Sequence, residues 1–307
     1  MGNELLLCLT IIGQAHHLGA RWIAVIGSSV SRKDISESPA TNAESNAGMK
    51  SRLLEITYVG GPTSLLEFGG LRFLTDPTFD PGGGAYKSST ATLHKLSGPA
   101  LTSDQVKPFD YVLLSHDHHF DNLDHAGRAL LDDAKLVLTT GEGATRLNGN
   151  THGMRDWQNL DLPAQNGRTL RVVATPAQHG PEGLDRGAVT GFVLYFVDAP
   201  EEAIYFSGDT VWFEGVAEAA RRFKIRVALL NLGAARVPEV GPFHLTMTAH
   251  EAVQAARTFT SAVIVPLHFE HWAHFSEGRP EITQAFRDAQ MEDRLRWPER
   301  GKSIHIS

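Results

Sequence analysis

The sequence predicts an α+β fold in which two β-sheets pack together and helices lie outside. Three observations predict it. Short apolar runs meet across glycine turns near the start of the organised region, as in antiparallel hairpins. Later runs such as Tyr111-Val112-Leu113-Leu114 are continuously apolar, the pattern of strands buried on both faces. Segments of helical periodicity alternate with those runs through the second half.

In order, Leu53 to Val59 has the β-branched, apolar mix of a strand. Ser64–Phe68 and Leu71–Thr75 form a hairpin across Gly69-Gly70, stopped by Asp76-Pro77 and followed by a loop at Gly82-Gly83-Gly84. No GxGxxG fingerprint argues for a dinucleotide domain. The Tyr111–Leu114 strand ends at Ser115 and a histidine cluster, and Leu123–Leu131 reads as a helix capped by Asp121 or Asn122. Lys135–Thr139 is the next strand, with Gly141-Glu142-Gly143 opening a loop or short helix. The polar interval from Asn148 to Gly167 reads as a long surface loop, with Trp157 either a pocket wall or a core residue. Leu170–Thr175, Phe192–Val197, Ala203–Phe206, Val227–Leu232 and Ala262–Pro266 are strands. Glu214–Phe223, Met247–Phe259 (capped by Thr246 or Thr248) and Glu281–Arg294 are helices.

No linker separates two hydrophobic cores after Leu53, so residues 49–307 are expected to form one domain. Residues 1–48 stand apart as an extension or disordered segment. Their apolar run Leu5–Ile12 lacks a preceding basic residue and is soon interrupted by His16 and His17, unlike a signal peptide or membrane span. Ser28–Gly48 has the composition of a linker, and Met49 is an alternative start. The rival reading is an appended peripheral helix or strand.

The 307 residues carry 28 basic and 35 acidic side chains, a formal net charge of −7, with no basic stripe for a nucleic-acid backbone. Neither a nucleic-acid nor a membrane partner is expected; a small-molecule substrate, a cytoplasmic location and scope for a homo-oligomer are. Cys8 is the lone cysteine, which excludes an intramolecular disulfide and a cysteine-based zinc cluster.

The 15 histidines carry the functional signal. Four separated strands end in His or Asp: His116 with His118, then His179, Asp209 and His268. Imidazole nitrogen and carboxylate oxygen suit zinc, manganese or iron, and rigid strand ends can converge such ligands from distant positions. Asp121 either binds metal or holds a nucleophilic water, favoured by a nearby helix start. A purely structural role for any single one of these residues is the plainer reading; their recurrence at strand ends is what argues against it.

Taken in order, Glu55-Ile56-Thr57-Tyr58-Val59-Gly60-Gly61, Thr75-Asp76-Pro77, the His116-His118 cluster, His179, Gly208-Asp209-Thr210 and His268 resemble the metallo-β-lactamase-fold hydrolases. The resemblance runs from Leu53 to about Ala289. It is nearest to the branch of ascorbate-phosphate lactonase-like and N-acyl phosphatidylethanolamine phospholipase-like enzymes. It implies a four-layer αββα sandwich of two mixed sheets with the metal site at strand ends. It also implies His116, His118 and His179 on one ion, Asp209 shared, and His268 on a second. The family cluster His-x-His-x-Asp-His departs here to His116-Asp117-His118-His119-Phe120-Asp121-Asn122, with Asp121 in the place of the family aspartate. Asn122 stands where a histidine is missing, and His119 is the candidate substitute. Two divalent ions are expected, zinc favoured over manganese or iron, the second site being the weaker expectation.

The implied function is a metal-dependent hydrolase that turns a metal-bound hydroxide on a phosphoester, lactone or related small substrate. Asp121 orients the water or moves a proton. His244, in Phe243-His244-Leu245-Thr246-Met247, is either a catalytic contact to the leaving group or a structural histidine. Asp76 orients a ligand or caps its turn, and either His271 or His274 lines the pocket or packs against its aromatic neighbours. The rivals are a non-haem iron oxidoreductase and a catalytically silent metal-binding protein.

Overall fold

In the computed structural model, which describes residues 53–306, the chain forms fifteen strands and six α-helices. The expected extension 1–48 and the alternative start at Met49 lie outside the described residues. The first half contains β1 (Leu54–Gly60), β2 (Thr63–Phe68), β3 (Leu71–Thr75), β4 (Ala85–Lys87), β5 (Thr92–His94), α1 (Ser103–Val106), β6 (Tyr111–Leu113), α2 (His125–Ala129), β7 (Leu136–Thr140), α3 (Gly141–Leu147) and β8 (Thr151–Met154). There follow β9 (Asn159–Pro163), β10 (Thr169–Pro176), β11 (Thr190–Phe196), β12 (Ala199–Phe206), α4 (Glu214–Arg222), β13 (Ile225–Asn231), α5 (Ala249–Thr258), β14 (Val263–Leu267), α6 (Arg279–Asp288) and β15 (Ser303–Ile306).

Two mixed sheets result, ordered β15-β1-β2-β3-β6-β7-β8 and β14-β13-β12-β11-β10-β9, with β4–β5 a separate hairpin. Because their strands are apolar on both faces, each sheet buries two layers. The inner faces meet through Ile56, Leu66, Phe73 and Leu113 against Val172, Phe192, Phe206 and Leu229. The outer face of the first sheet packs Leu74, Val112 and Val137 under Val106 of α1 and Leu130-Leu131. The outer face of the second packs Val193, Tyr205 and Leu230 under α4, α5 and α6 through Val216, Ala252 and Phe286. This is the expected four-layer αββα sandwich. Each fully buried Val, Leu, Ile or Phe contributes about 1.5–3 kcal/mol, and only continuous apolar strands can supply both layers.

Topology then fixes where strands end. β3, β6 and β7 run parallel, as do β12, β13 and β14. β10 is antiparallel to β11 and β11 to β12, so β10 again points the way β12 does. Each parallel set therefore delivers its C-terminal ends to one edge, the arrangement on which the site depends.

Three sequence expectations change. The interval 148–167 is no loop: it holds β8 and β9, edge strands of different sheets, and the chain crosses between the sheets there. Edge strands half open to solvent carry no apolar run, so period and composition conceal them. Trp157 packs by Phe223 and under the Arg222 guanidinium, 4.2 Å from the ring centre, and is no pocket wall. Helix α2 starts later than expected, capped by Asp124, whose carboxylate accepts from Gly127 N at 2.8 Å. A strand that the sequence reading did not include, β15, pairs with β1 at the edge of the first sheet.

Asp124 does more than cap. It accepts from the backbone amides of Phe79 and Asp80 and from Lys95 Nζ at 2.7 Å, a pair with both side chains buried. Lys95, just beyond β5, thereby ties the hairpin to α2. Removing one member of a buried ion pair strands the other charge in low dielectric. Lys95→Ala is expected to lower stability by about 3–5 kcal/mol, measured by urea unfolding.

Candidate metal centre

Three imidazoles converge beyond β6 and β10. His119 Nδ1 lies 3.0 Å from His116 Nε2 and 3.2 Å from His179 Nε2. The groups behind them fix their tautomers. Ser115 Oγ donates to Asp76 Oδ2 at 2.8 Å, so toward His116 Nδ1, 2.9 Å away, its oxygen accepts. The Leu245 carbonyl can only accept, so His179 Nδ1 donates to it at 2.9 Å. Both Nε2 lone pairs consequently face inward, and the single proton His119 Nδ1 could carry cannot satisfy both. Burial, reinforced by the neighbouring imidazoles, holds His116 well below its ordinary pKa and His119 down to about 3; burial also lowers His179. Neutral, inward-facing nitrogens spaced like these suit a cation. Tetrahedral zinc with bonds of about 2.0–2.1 Å sets its nitrogen ligands roughly 3.3 Å apart.

His118 stands beside this trio. Its Nε2 donates to the Arg186 carbonyl at 2.7 Å, leaving a buried Nδ1 without a hydrogen-bond partner. His116, His118 and His119 together form a group that could hold an ion. Asp117, between them in sequence, points away to Arg146, Oδ1 to Nη2 2.6 Å; burial works against its charge, but Arg146 holds it below the usual carboxylate range.

A second group lies next to the first: Asp121, Asp209 and His268. His268 Nε2 is 3.4 Å from both Asp121 Oδ2 and Asp209 Oδ2. Asp209 Oδ1 accepts from Asn231 Nδ2 at 2.8 Å, which leaves Oδ2 buried and without a hydrogen-bond partner. That oxygen is also 3.9 Å from His179 Nε2, so it stands between the two groups. Burial disfavours protonating His268, but Asp209 and Asp121 outweigh it and push its pKa up to about 10. A divalent ion would take over that compensation, and the orphaned Asp209 Oδ2 and His268 Nε2 are the atoms it would use. The residues therefore fit a metal, and a metal-binding, hydrolase-like active site is present.

The supports are built at some cost. Asp76 accepts from Ser115 N, Ser115 Oγ and Asn122 Nδ2, so Asn122 sits behind the centre rather than in it. Burial and the charge of Asp209 raise Asp76 to about 7 against those three donors. Asp76 (φ 26°) and His268 (φ 54°) hold left-handed backbone, which costs non-glycine residues of order 1–3 kcal/mol each. Gly208 (φ 58°) meets this demand without penalty, and a Cβ there would lie 2.6 Å from the Thr190 carbonyl and 2.7 Å from Ser115 Cβ.

Above the centre opens a cleft with His118, His119, Asp121, His179 and His274 on its floor. Ala91 and Leu93 of the hairpin, Phe120, Val237, Val240 and Leu245 form apolar walls, and Arg186 reaches in beside Thr90. Of the residues expected from sequence, His116, His118, His119, Asp121, His179, Asp209 and His268 are brought together. His244 is not: its Nε2 pairs with Glu251 at 3.0 Å, on the capping box of α5. His119 joins His116 and His179 instead of filling the position of Asn122. Asp121 is set by His268 and His274, not by a helix start. Sequence reasoning missed Ser115, Asn231 and the Leu245 carbonyl. Asn231, a polar residue closing an apolar strand, was the one visible signal.

A family model described as a beta-lactamase superfamily domain matches residues 71–269. The chain is 27% identical over 239 residues to a "UPF0173 metal-dependent hydrolase" of Caldivirga maquilingensis, covering 74% of this chain and 87% of that protein. Its fold resembles an isothiocyanate hydrolase from Delia radicum gut bacteria (TM-score 0.69, 23% identity, 81% of this chain and 98% of that one). It also resembles a "possible metal-dependent hydrolase" of Veillonella parvula (TM-score 0.68, 20% identity, 82% and 99%). No helix among the described residues is long and apolar enough to cross a membrane.

Groups that orient metal-binding imidazoles typically carry about 10–100-fold in affinity. Ser115→Ala breaks the link from Asp76 to His116 and is expected to weaken zinc retention by about tenfold, read by competition with a chromophoric chelator.

Proposed function

We propose that this chain, which belongs to the beta-lactamase superfamily, hydrolyses a small ester, lactone or comparable carbon electrophile at a centre of two divalent ions, zinc favoured. The observation that carries the reading is the adjacency of two buried ligand groups sharing Asp209 Oδ2 at the floor of one cleft. Divalent ions held there would supply Lewis-acid polarisation of the scissile bond and lower the pKa of a water.

The chain's own residues do the rest. His116, His119 and His179, with His118 alongside, present neutral nitrogens on one side; Asp121, Asp209 and His268 present the anionic side. Asp121, which lines the cleft, would orient a water and accept its proton. The apolar walls exclude bulk water and receive an apolar substituent. Arg186, the one cationic Lys or Arg on the described lining, can fix a single carboxylate or carbonyl oxygen. That balance favours a neutral or singly charged substrate over a multiply charged phosphoester. It also keeps the isothiocyanate class of the structural relative within range, since its electrophilic carbon needs the same activated water.

The test is a panel of lactones, carboxylic esters, isothiocyanates and phosphoesters run on protein of measured metal content. Turnover of carbon electrophiles above phosphoesters is expected; inactivity across the panel with zinc, manganese and iron overturns the proposal. His116→Ala and His179→Ala are expected to lose metal and at least about 100-fold of turnover together. Full turnover at full occupancy in either variant rejects the ligand assignment.

A further inference from the structure

The second group, Asp121, Asp209 and His268, offers three ligand atoms where a tetrahedral ion takes four. Asn122, next to Asp121, has its amide nitrogen turned into the Asp76–Ser115 network. A histidine six residues beyond His268 stands on the open side of the group. His274 Nε2 lies 3.1 Å from Asp121 Oδ2, close to the 3.4 Å that separates His268 Nε2 from each carboxylate. The contact to Asp121 has the length of a ligand-to-ligand edge in one coordination shell, and it is through Asp121 that His274 adjoins the group. The His274 ring lines the cleft, and its Nδ1 is buried without a hydrogen-bond partner.

The segment carrying His274 is held on both sides. Ala273 N donates to the His94 carbonyl at 3.0 Å, Arg236 N donates to the His274 carbonyl at 2.8 Å, and Ser276 N donates to the Gly233 carbonyl at 2.9 Å. Phe275 packs against both rings, 4.6 Å from His274 and 4.8 Å edge-on to His268. An ion pair with Asp121 alone would not need such fixation of both histidines by one phenyl ring. His271, by contrast, faces Glu270 at 3.4 Å and is absent from the described cleft lining.

We propose that His274 is a ligand of the second divalent ion, completing with Asp121, Asp209 and His268 a four-residue site. This rests on the metal-hydrolase reading above. It makes the stretch from His268 to His274 a two-point clamp: one histidine just past the end of β14, the other on the following loop, lining the cleft.

The test is uptake of metal, read without reference to turnover. Full-length protein is stripped with chelator and titrated with Zn²⁺ and with Co²⁺ against a competing indicator, and bound metal is counted by mass spectrometry. The wild type is expected to take two ions. His274→Ala is expected to keep the first and bind the second at least about tenfold more weakly, with partial recovery in added imidazole and a change in the Co²⁺ visible spectrum. His274→Gln preserves side-chain volume and is expected to weaken the second ion too, which guards against a misfolded alanine variant; circular dichroism checks both. Two ions bound at wild-type affinity by either folded variant overturn the assignment and leave the hydrolase reading standing. A wild type that takes only one ion overturns the second site, and one that takes none overturns the hydrolase reading itself.

Discussion

The structure is organised around buried nitrogen and oxygen atoms that converge on one place with few hydrogen-bond partners among them. His116 Nε2, His119 Nδ1 and His179 Nε2 meet within 3.2 Å steps, and Asp209 Oδ2 faces His268 Nε2 with no donor of its own. Such groups are expensive to remove from water unless something compensates them. Everything behind them works to keep the lone pairs pointed inward: the Ser115 hydroxyl, the Leu245 and Arg186 carbonyls, and the Asn231 amide. The fold holds there, with the imidazoles turned by fixed partners, a concentration of polar atoms that suits a cation.

The remainder of the architecture can be read as the means of imposing that arrangement. Two sheets, apolar on both faces, supply rigid ends; parallel pairing within each sheet sends those ends to one edge. Where the two sheets meet at the site, Thr190 N donates to the Ser115 carbonyl at 3.0 Å, joining the start of β11 to the residues beyond β6. Gly208 allows the third strand end to approach that junction. The buried Lys95–Asp124 pair closes the rim by anchoring the hairpin. Left-handed backbone at Asp76 and His268 shows that packing energy elsewhere is being used to keep these residues in place.

Much of this was legible in the sequence, because strands buried on both faces announce themselves as apolar runs and the ligands follow directly at their ends. The seven residues expected at the centre, from His116 to His268, lie together in the structure. What was not legible has a common physical cause. The edge strands β8 and β9 are half-exposed, so their composition is that of a loop. Inside the cluster, one-dimensional spacing cannot say which way adjacent imidazoles turn. The resemblance put His118 on the first ion and His119 in reserve, yet His118 is tied to the Arg186 carbonyl and His119 reaches between His116 and His179. For His244, which the sequence left as either a leaving-group contact or a structural histidine, the structure supplies a partner, Glu251, from the helix cap next to it.

The division between the two ligand groups also bears on how a chain of net charge −7 can receive an electron-rich substrate. The first group is made of neutral imidazoles, and the second contributes the carboxylates of Asp121 and Asp209. Divalent ions held by both would leave the cleft floor positive, reversing locally the sign of the protein as a whole. The walls sharpen this effect, since apolar side chains lower the local dielectric and leave Arg186 as their one positive Lys or Arg. A substrate with one polar, electrophilic group and an apolar remainder meets complementary surfaces at both ends. On the walls above the ions a phosphoester of higher charge would find Arg186 as the one Lys or Arg, which is why the proposal favours carbon electrophiles over it.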